Sequence, residues 1–360
     1  MSTRHGSRSL FVVVAATCVM TCAGCGDGGR DATPTVNASA ADAKTRSAGA
    51  RTIESPAAPQ SIRLGIKAGD RFPLVKRLDQ FLKQVTPNGN VLTHHSSLEM
   101  SLSMTVEEVV DRGPQRGQTR IGAKFHHVKF SQNVPGAETH YDSDNPPATV
   151  PLEVQGYHGL KDNGFSFWIG SDHQILEIVD FDKFIDRCVE KVPADKRVFV
   201  RSTLARSAGA DGIANFIDDS IGLLPNRDVV LGDSWTRSRQ ILQPVPMHIS
   251  TRYTLTELTT DEAQVNILGT IMPSTTYGPD DQQSRGVEVQ VKKGHSIGSC
   301  TISRRTGLPI DSRVDQELSM RVKLANNVEF DQFKTTVTTI RIYPASKIER
   351  TAAKEKHKAN

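Results

Sequence analysis

The sequence predicts an α+β fold, mainly an antiparallel β-sheet or partial barrel with two or three helices packed on one side. Three observations lead there. Apolar and polar residues alternate at period two in several long runs, turn signals separate those runs, and helical spacing is confined to the middle of the chain.

The clearest strand is Leu98 to Val106. Leu98, Met100, Leu102, Met104 and Val106 alternate with Glu99, Ser101, Ser103 and Thr105, so one face is buried and the other wet. Leu318, Met320, Val322 and Leu324 repeat the pattern, as do Val287, Val289 and Val291. Thr251–Leu258, Ala263–Met272 and Thr335–Tyr343 are further strand-like runs. Pro87-Asn88-Gly89, Arg112-Gly113-Pro114 and Thr306-Gly307 supply turns.

The middle of the chain has a different period. Phe181, Phe184, Ile185, Cys188, Val189 and Val192 follow i, i+3, i+4, i+7 spacing, and Pro193 closes the run. Ile213, Phe216, Ile217 and Ile221 do the same behind Asp211, and a weaker helix fits 195–207. Such apolar faces must be buried, which places these helices over one side or the mouth of the sheet.

Gly69-Asp70-Arg71-Phe72 resembles Gly232-Asp233-Ser234-Trp235, and a strand ending in a Glu-bearing turn follows each. Later come two hairpin-like segments, Ser171–Val179 and Ser303–Asp311. A repeat this long points to a duplicated β unit rather than a solenoid.

The N-terminus carries an address. Arg4 and Arg8 precede an apolar stretch from Leu10 to Met20, which is the pattern of an export signal and is too short for a spanning helix. Thr21-Cys22-Ala23-Gly24-Cys25 follows. Residues 26–60 are rich in Ala, Gly, Ser, Thr, Asp and Pro, a composition that cannot bury enough surface to offset its ordering entropy. The expected organisation is a signal over 1–24, a disordered tether over 25–60, a β-rich body over 61–346 and a mildly basic disordered tail over 347–360. Within the body, 61–177 and 226–346 are the two β halves and 178–225 the helical middle.

Composition narrows the function. The 360 residues carry 44 Lys+Arg against 40 Asp+Glu, a net charge of +4, which is too balanced for a dedicated nucleic-acid binder. Aromatic residues make up 6% and hydrophobic residues 37%, so part of the chain joins no core. No apolar run reaches the roughly 18–20 residues of a transmembrane helix.

Chemistry-bearing motifs are scarce. His94-His95 and His126-His127 invite a metal, but neighbours on a regular strand face opposite ways, so one pair cannot readily give two ligands. A site would need further groups such as His140 or His173. Asp142-Ser143-Asp144-Asn145 begins like a calcium loop, yet Pro146-Pro147 stands where the loop should turn. Asp172-His173 with a serine would make a triad, but no nucleophile motif accompanies it, and no phosphate-cradling glycine loop is present. No catalytic residue, metal or cofactor is therefore assigned. In an exported chain Cys188 and Cys300 are available for a disulfide, although Cys188 on an apolar helix face equally suits a buried free thiol. Trp168 in Phe165-Ser166-Phe167-Trp168-Ile169 reads first as core. If the sheet holds an apolar ligand, Met100, Met104, Trp168 and Phe184 are the expected lining.

Ala23-Gly24-Cys25 behind an apolar segment resembles the lipobox of bacterial lipoproteins, with Cys22 departing from the Leu, Val or Ile usual there. The resemblance implies cleavage before Cys25, a diacylglyceryl group on its sulfur and palmitate-type chains in a membrane. Gly26 behind the cysteine, where Asp would favour the inner membrane, implies the outer membrane, facing the periplasm. Secretion, with cleavage after Ala38-Ser39-Ala40, is the rival outcome. The lipobox with Lys67-Ala68-Gly69-Asp70, Leu223-Leu224-Pro225, Val230-Leu231-Gly232-Asp233-Ser234-Trp235-Thr236 and Thr306-Gly307-Leu308-Pro309 resembles a family of bacterial envelope lipoproteins of unknown function. More loosely, helices over an open antiparallel sheet are similar to the lipoprotein-carrier fold, whose sheet holds acyl chains. Three functions follow as expectations: a tethered, non-catalytic protein binding an apolar or lipid-like ligand; a scaffold lipoprotein acting through an edge strand or surface patch; and an envelope hydrolase. The expected partners are membrane lipid through Cys25 and an apolar small molecule, with no nucleic acid.

Overall fold

A computed structural model of the chain describes residues 59–207, 213, 216–217, 221–241, 245–274, 287–324 and 326–343. The signal segment, Cys25, most of the tether and the basic tail lie outside the described residues.

The body is one twelve-stranded antiparallel sheet with helices on one face. Before the helical middle come β1 (Arg71–Val85), β2 (Val91–Val109), β3 (Thr119–Val134), β4 (Ala137–Asp142), β5 (Gly164–Ile169) and β6 (Ile175–Val179). After it come β7 (Ser234–Ile241), β8 (Met247–Leu258), β9 (Glu262–Pro273), β10 (Val287–Ser303), β11 (Pro309–Leu324) and β12 (Glu329–Ile342). The spatial order is β6-β5-β3-β2-β1-β12-β11-β10-β9-β8-β7, with β4 paired to β3. Each half is thus a meander running the same way, and β1 pairs antiparallel with β12 to join the two. Every strand-like run of the sequence lies within one of these strands, except that Thr335–Tyr343 overruns the end of β12 by one residue.

A short helix α1 (Gln155–His158) leads to α2 (Phe181–Val189) and α3 (Ala194–Ser207). The apolar stripe of α2 does what its spacing predicts: Phe184, Ile185 and Cys188 are buried in the main core with Met100, Met104, Phe125 and Phe165. The Phe184 ring lies 5.1 Å from that of Phe165 and 6.4 Å from that of Phe125. The helix ends earlier than its spacing suggests, because Val189 and Val192 pack instead with Val200 of α3 in a satellite cluster. Ile213, Phe216, Ile217 and Ile221 are also helical and buried in the main core. A second cluster under Leu223 and Leu224 gathers Trp235, Tyr253, Leu255, Val265 and Cys300.

The sheet curls. Arg237 on edge strand β7 donates from Nη2 to the carbonyl of Asp172, in the turn between β5 and β6 at the far end of the strand order, at 3.1 Å. The same nitrogen donates to the Leu224 carbonyl at 2.8 Å. The helix-covered face is the inside of this curl. Among the described residues no helix is long and apolar enough to cross a membrane.

Cys188 and Cys300 do not pair. Each is a free, buried thiol, and they sit in separate clusters, which replaces the disulfide expectation. Burial pushes both thiols up to about 12, so neither is a reactive thiolate near neutrality.

Candidate functional site on the inner face of the sheet

The inner face is built of cross-strand rows, since residues in register share a face. One row is apolar apart from Thr338: Trp235, Tyr253, Ile267, Gly298 and Val314 lead on through Thr338 to Leu78, Leu98 and Phe130. The adjacent row is polar along its whole centre. Thr251, Gly269, Ser296, Gln316, Thr336 and Gln80 stand in register from β8 to β1. Thr251, Ser296 and Thr336 are each no more than 2% exposed, so this row is interior although it is hydrophilic.

Buried polar groups are normally paired, because an unmade hydrogen bond costs about 1–3 kcal/mol. Here Thr251 Oγ1, Ser296 Oγ and Gln80 Nε2 have no hydrogen-bond partner among the described residues. The first two line a cavity of about 30 Å³, whose other walls include Leu223, Tyr253, Ile267, Val314, Gln316 and Ile340. That volume holds one or two water molecules. Gly269 makes room for the Ser296 hydroxyl: a Cβ there would lie 2.0 Å from Ser296 Oγ.

Beyond Gln80 along β1, Lys76 is fully buried. Its ammonium donates to the Phe216 carbonyl at 3.3 Å and lies 4.3 Å from the centre of the Phe216 ring. A charge inside the core is thereby satisfied by a carbonyl and an aromatic face from the helical cover.

The expected lining residues divide. Met100, Met104 and Phe184 are all buried within the main core. Trp168 faces the other way: its neighbours Phe167 and Ile169 are buried, while Trp168 is half-buried and paired with Arg120 and Glu177. Strand alternation sends Phe165, Phe167 and Ile169 inward and therefore Trp168 outward.

The histidine pairs also divide. His94 Nε2 lies 2.9 Å from Gln132 Nε2. A β-bulge opposite Ser101 and Leu102 makes His126 the extra residue of β3, which breaks strict alternation there. His126 bonds Ser103 at 2.8 Å, whereas His127 Nε2 bonds Asp142 Oδ1 at 2.7 Å. Burial raises the Asp142 carboxyl, but the His127 bond, the Asp144 N–H and Lys129 outweigh it and hold the group below its ordinary value. His173 is buried in the β5–β6 turn, where burial and the nearby Arg237 push it down to about 4. Asp172 Oδ1 accepts the Gln174 N–H, and His173 Nδ1 is buried with no hydrogen-bond partner among the described residues.

Sequence reasoning missed the polar row. Its members sit at the inward positions of strands that were read from their apolar residues, and hydroxyls at those positions were the available signal.

No curated protein matches the chain. Among solved structures, one of lipovitellin described for its lipid–protein interactions overlaps with a TM-score of 0.42 at 11% identity, over 77% of this chain and 25% of that one. The chain thus spans about a quarter of the length of that lipovitellin chain. An outer-membrane channel from Pseudomonas putida F1 overlaps with a TM-score of 0.19 at 6% identity, over 78% of this chain and 97% of the channel. OccK11 of Pseudomonas aeruginosa gives 0.17 at 8%, over 78% and 99%. At such low overlap nothing about ligand or location is carried over from these proteins. Residues 116–309, from the turn before β3 to the start of β11, match DUF6263. With more than half of its length so matched, the chain belongs to this family of unknown function.

Proposed function

We propose that this is a non-catalytic, membrane-tethered protein of the bacterial envelope that holds an amphiphilic, lipid-like ligand on the inner face of its curled sheet. The observation that carries the reading is the juxtaposition of two kinds of row. Unpartnered Thr251 Oγ1, Ser296 Oγ and Gln80 Nε2 offer hydrogen bonds to a polar head, and the apolar row beside them offers a wall to a hydrocarbon chain. A purely apolar ligand would leave those groups unmet, and a purely polar one would waste the wall.

The cavity of about 30 Å³ is far too small for an acyl chain, which needs on the order of 300 Å³ or more. Loading therefore requires the helical cover, including Phe216 over Lys76, to move off the sheet. The export signal and the lipobox ending at Cys25 support the tether, the envelope location and an outer-membrane anchor facing the periplasm.

The test is a titration of the full chain, in detergent below its micelle concentration, with a naturally fluorescent polyene fatty acid. Saturable binding at one site, weakened at least fivefold by the double substitution Thr251→Val and Ser296→Ala, is expected. Binding that is unsaturable, or indifferent to that substitution, would overturn the reading.

A further inference from the structure

We infer that His127, Asp142 and Asp144 form a binding site for a zinc-class divalent cation. The sequence presents these residues as two unrelated fragments, and the pairing of β3 with β4 brings them together. His127 Nε2 lies 2.7 Å from Asp142 Oδ1 and 3.6 Å from Asp144 Oδ2. One ligand atom from each residue falls within 4.8 Å of the other two, and it is the one such trio among the described residues. Tetrahedral zinc with nitrogen and oxygen ligands at about 2.0–2.2 Å sets neighbouring ligand atoms about 3.3 Å apart. The two distances from His127 Nε2 bracket that value, and the two carboxylate oxygens lie within 4.8 Å of each other.

The arrangement exceeds what an ion pair needs. The Nε2 of an imidazole carries one proton, and the close contact to Asp142 uses it. Asp144 then turns a second carboxylate oxygen toward the same nitrogen beyond hydrogen-bond range. A cation between the three would be bound by the imidazole and both carboxylates at once.

The outer oxygens are already held. Lys161 Nζ donates to Asp144 Oδ1 at 2.8 Å and to the Ser143 carbonyl at 2.9 Å, and Lys129 Nζ lies 3.7 Å from Asp142 Oδ2. Ser143 is stitched to Val128, the residue after His127, by its N–H and its hydroxyl, each at 2.9 Å. Partners at the far oxygen of a ligating carboxylate are how metal sites fix their ligands before the ion arrives. Imidazole with two carboxylates selects zinc and its first-row neighbours over calcium and magnesium, which favour all-oxygen shells. Asp144 is half-exposed, which leaves the remaining coordination position to water.

Isothermal titration of the full, metal-stripped chain with zinc chloride at pH 7.5 tests this. One zinc per chain is expected, weakened at least tenfold by Asp144→Asn and by His127→Gln and unchanged by His140→Ala. Asp144 is surface-placed, so its substitution leaves the core intact and separates lost ligation from lost folding. Lys129→Gln should tighten zinc by removing a competing cation. Absence of stoichiometric zinc, zinc binding indifferent to both ligand substitutions, or equal affinity for calcium would each overturn the assignment.

Discussion

Gly69 and Gly232 occupy one position in two copies of the same turn. Both have φ of +89°, and their N–H groups donate to Val106 and Leu255 respectively, each at 2.8 Å. The next residue repeats too: Asp70 Oδ2 accepts the Lys67 N–H at 2.8 Å, and Asp233 Oδ2 accepts the Val230 N–H at 3.1 Å. A β-bulge follows at the same offset in the partner strand, between Val106 and Glu108 and between Leu255 and Glu257. The weak repeat of the sequence is thus a duplicated strand-entry device at the head of each meander.

That equivalence fixes the cost of losing either glycine. A Cβ at Gly69 or Gly232 meets nothing within 4 Å, so alanine there pays only for left-handed backbone, about 1–2 kcal/mol. Urea unfolding of Gly69→Ala and Gly232→Ala should show matching losses, because the same left-handed turn is strained in each. A loss at one site alone would contradict the duplication.

Arg237 holds the curl at the corner where the two ends of the sheet meet. Arg237→Ala leaves the Asp172 and Leu224 carbonyls without their charged donor, a loss of about 1–3 kcal/mol. Hydrogen exchange should rise in the β5–β6 turn and around Leu224 while the β1–β12 join stays protected. Uniform exchange across the whole sheet would show that the corner contact holds nothing in particular.

His173 makes stability depend on pH with a definite sign. Its folded pKa of about 4 lies below the ordinary 6.5, so the folded chain binds fewer protons than the unfolded one between those values. Stability is complete above the upper value and falls as pH drops toward the lower. Asparagine tolerates the left-handed φ of 65° at this position. A plot of Tm against pH for His173→Asn should therefore be flatter between pH 4 and 6.5 than that of the parent. A slope unchanged by the substitution would place the dependence on other groups.

The two body thiols should behave as buried, separate groups. Alkylation at pH 8 should leave Cys188 and Cys300 unmodified until denaturant is added, and a reductant should not shift Tm. A peptide map containing a Cys188–Cys300 link would contradict this.

Local pattern carries some of this architecture and long-range pairing carries the rest. β2 is legible because Leu98, Met100, Leu102 and Met104 are buried at alternate positions, with part-exposed Glu99, Ser101 and Thr105 among their neighbours. β1 is not: Val75, Leu78, Leu82 and Val85 also suit a helix, and inward Lys76 and Gln80 interrupt the apolar alternation. Only its pairing with β12 and β2 makes it a strand. The trio at His127 was hidden for a related reason. A bulge cancels the alternation rule at His126-His127, and a tight β3–β4 hairpin, not sequence proximity to a metal motif, brings up Asp142 and Asp144. The polar inner row is visible only once β8, β9, β10, β11, β12 and β1 are aligned, since no single strand shows it.

The most direct measurement is native mass spectrometry of the full chain, purified gently from its own membranes. A mass beyond that of the lipidated chain is predicted, released by organic solvent as an amphiphile with a hydrocarbon chain and a hydrogen-bonding head. It should be lost when Thr251→Val and Ser296→Ala are combined. A bare mass, both as purified and after lipid is offered, would contradict ligand carriage and leave the polar row as a wet seam in a closed core.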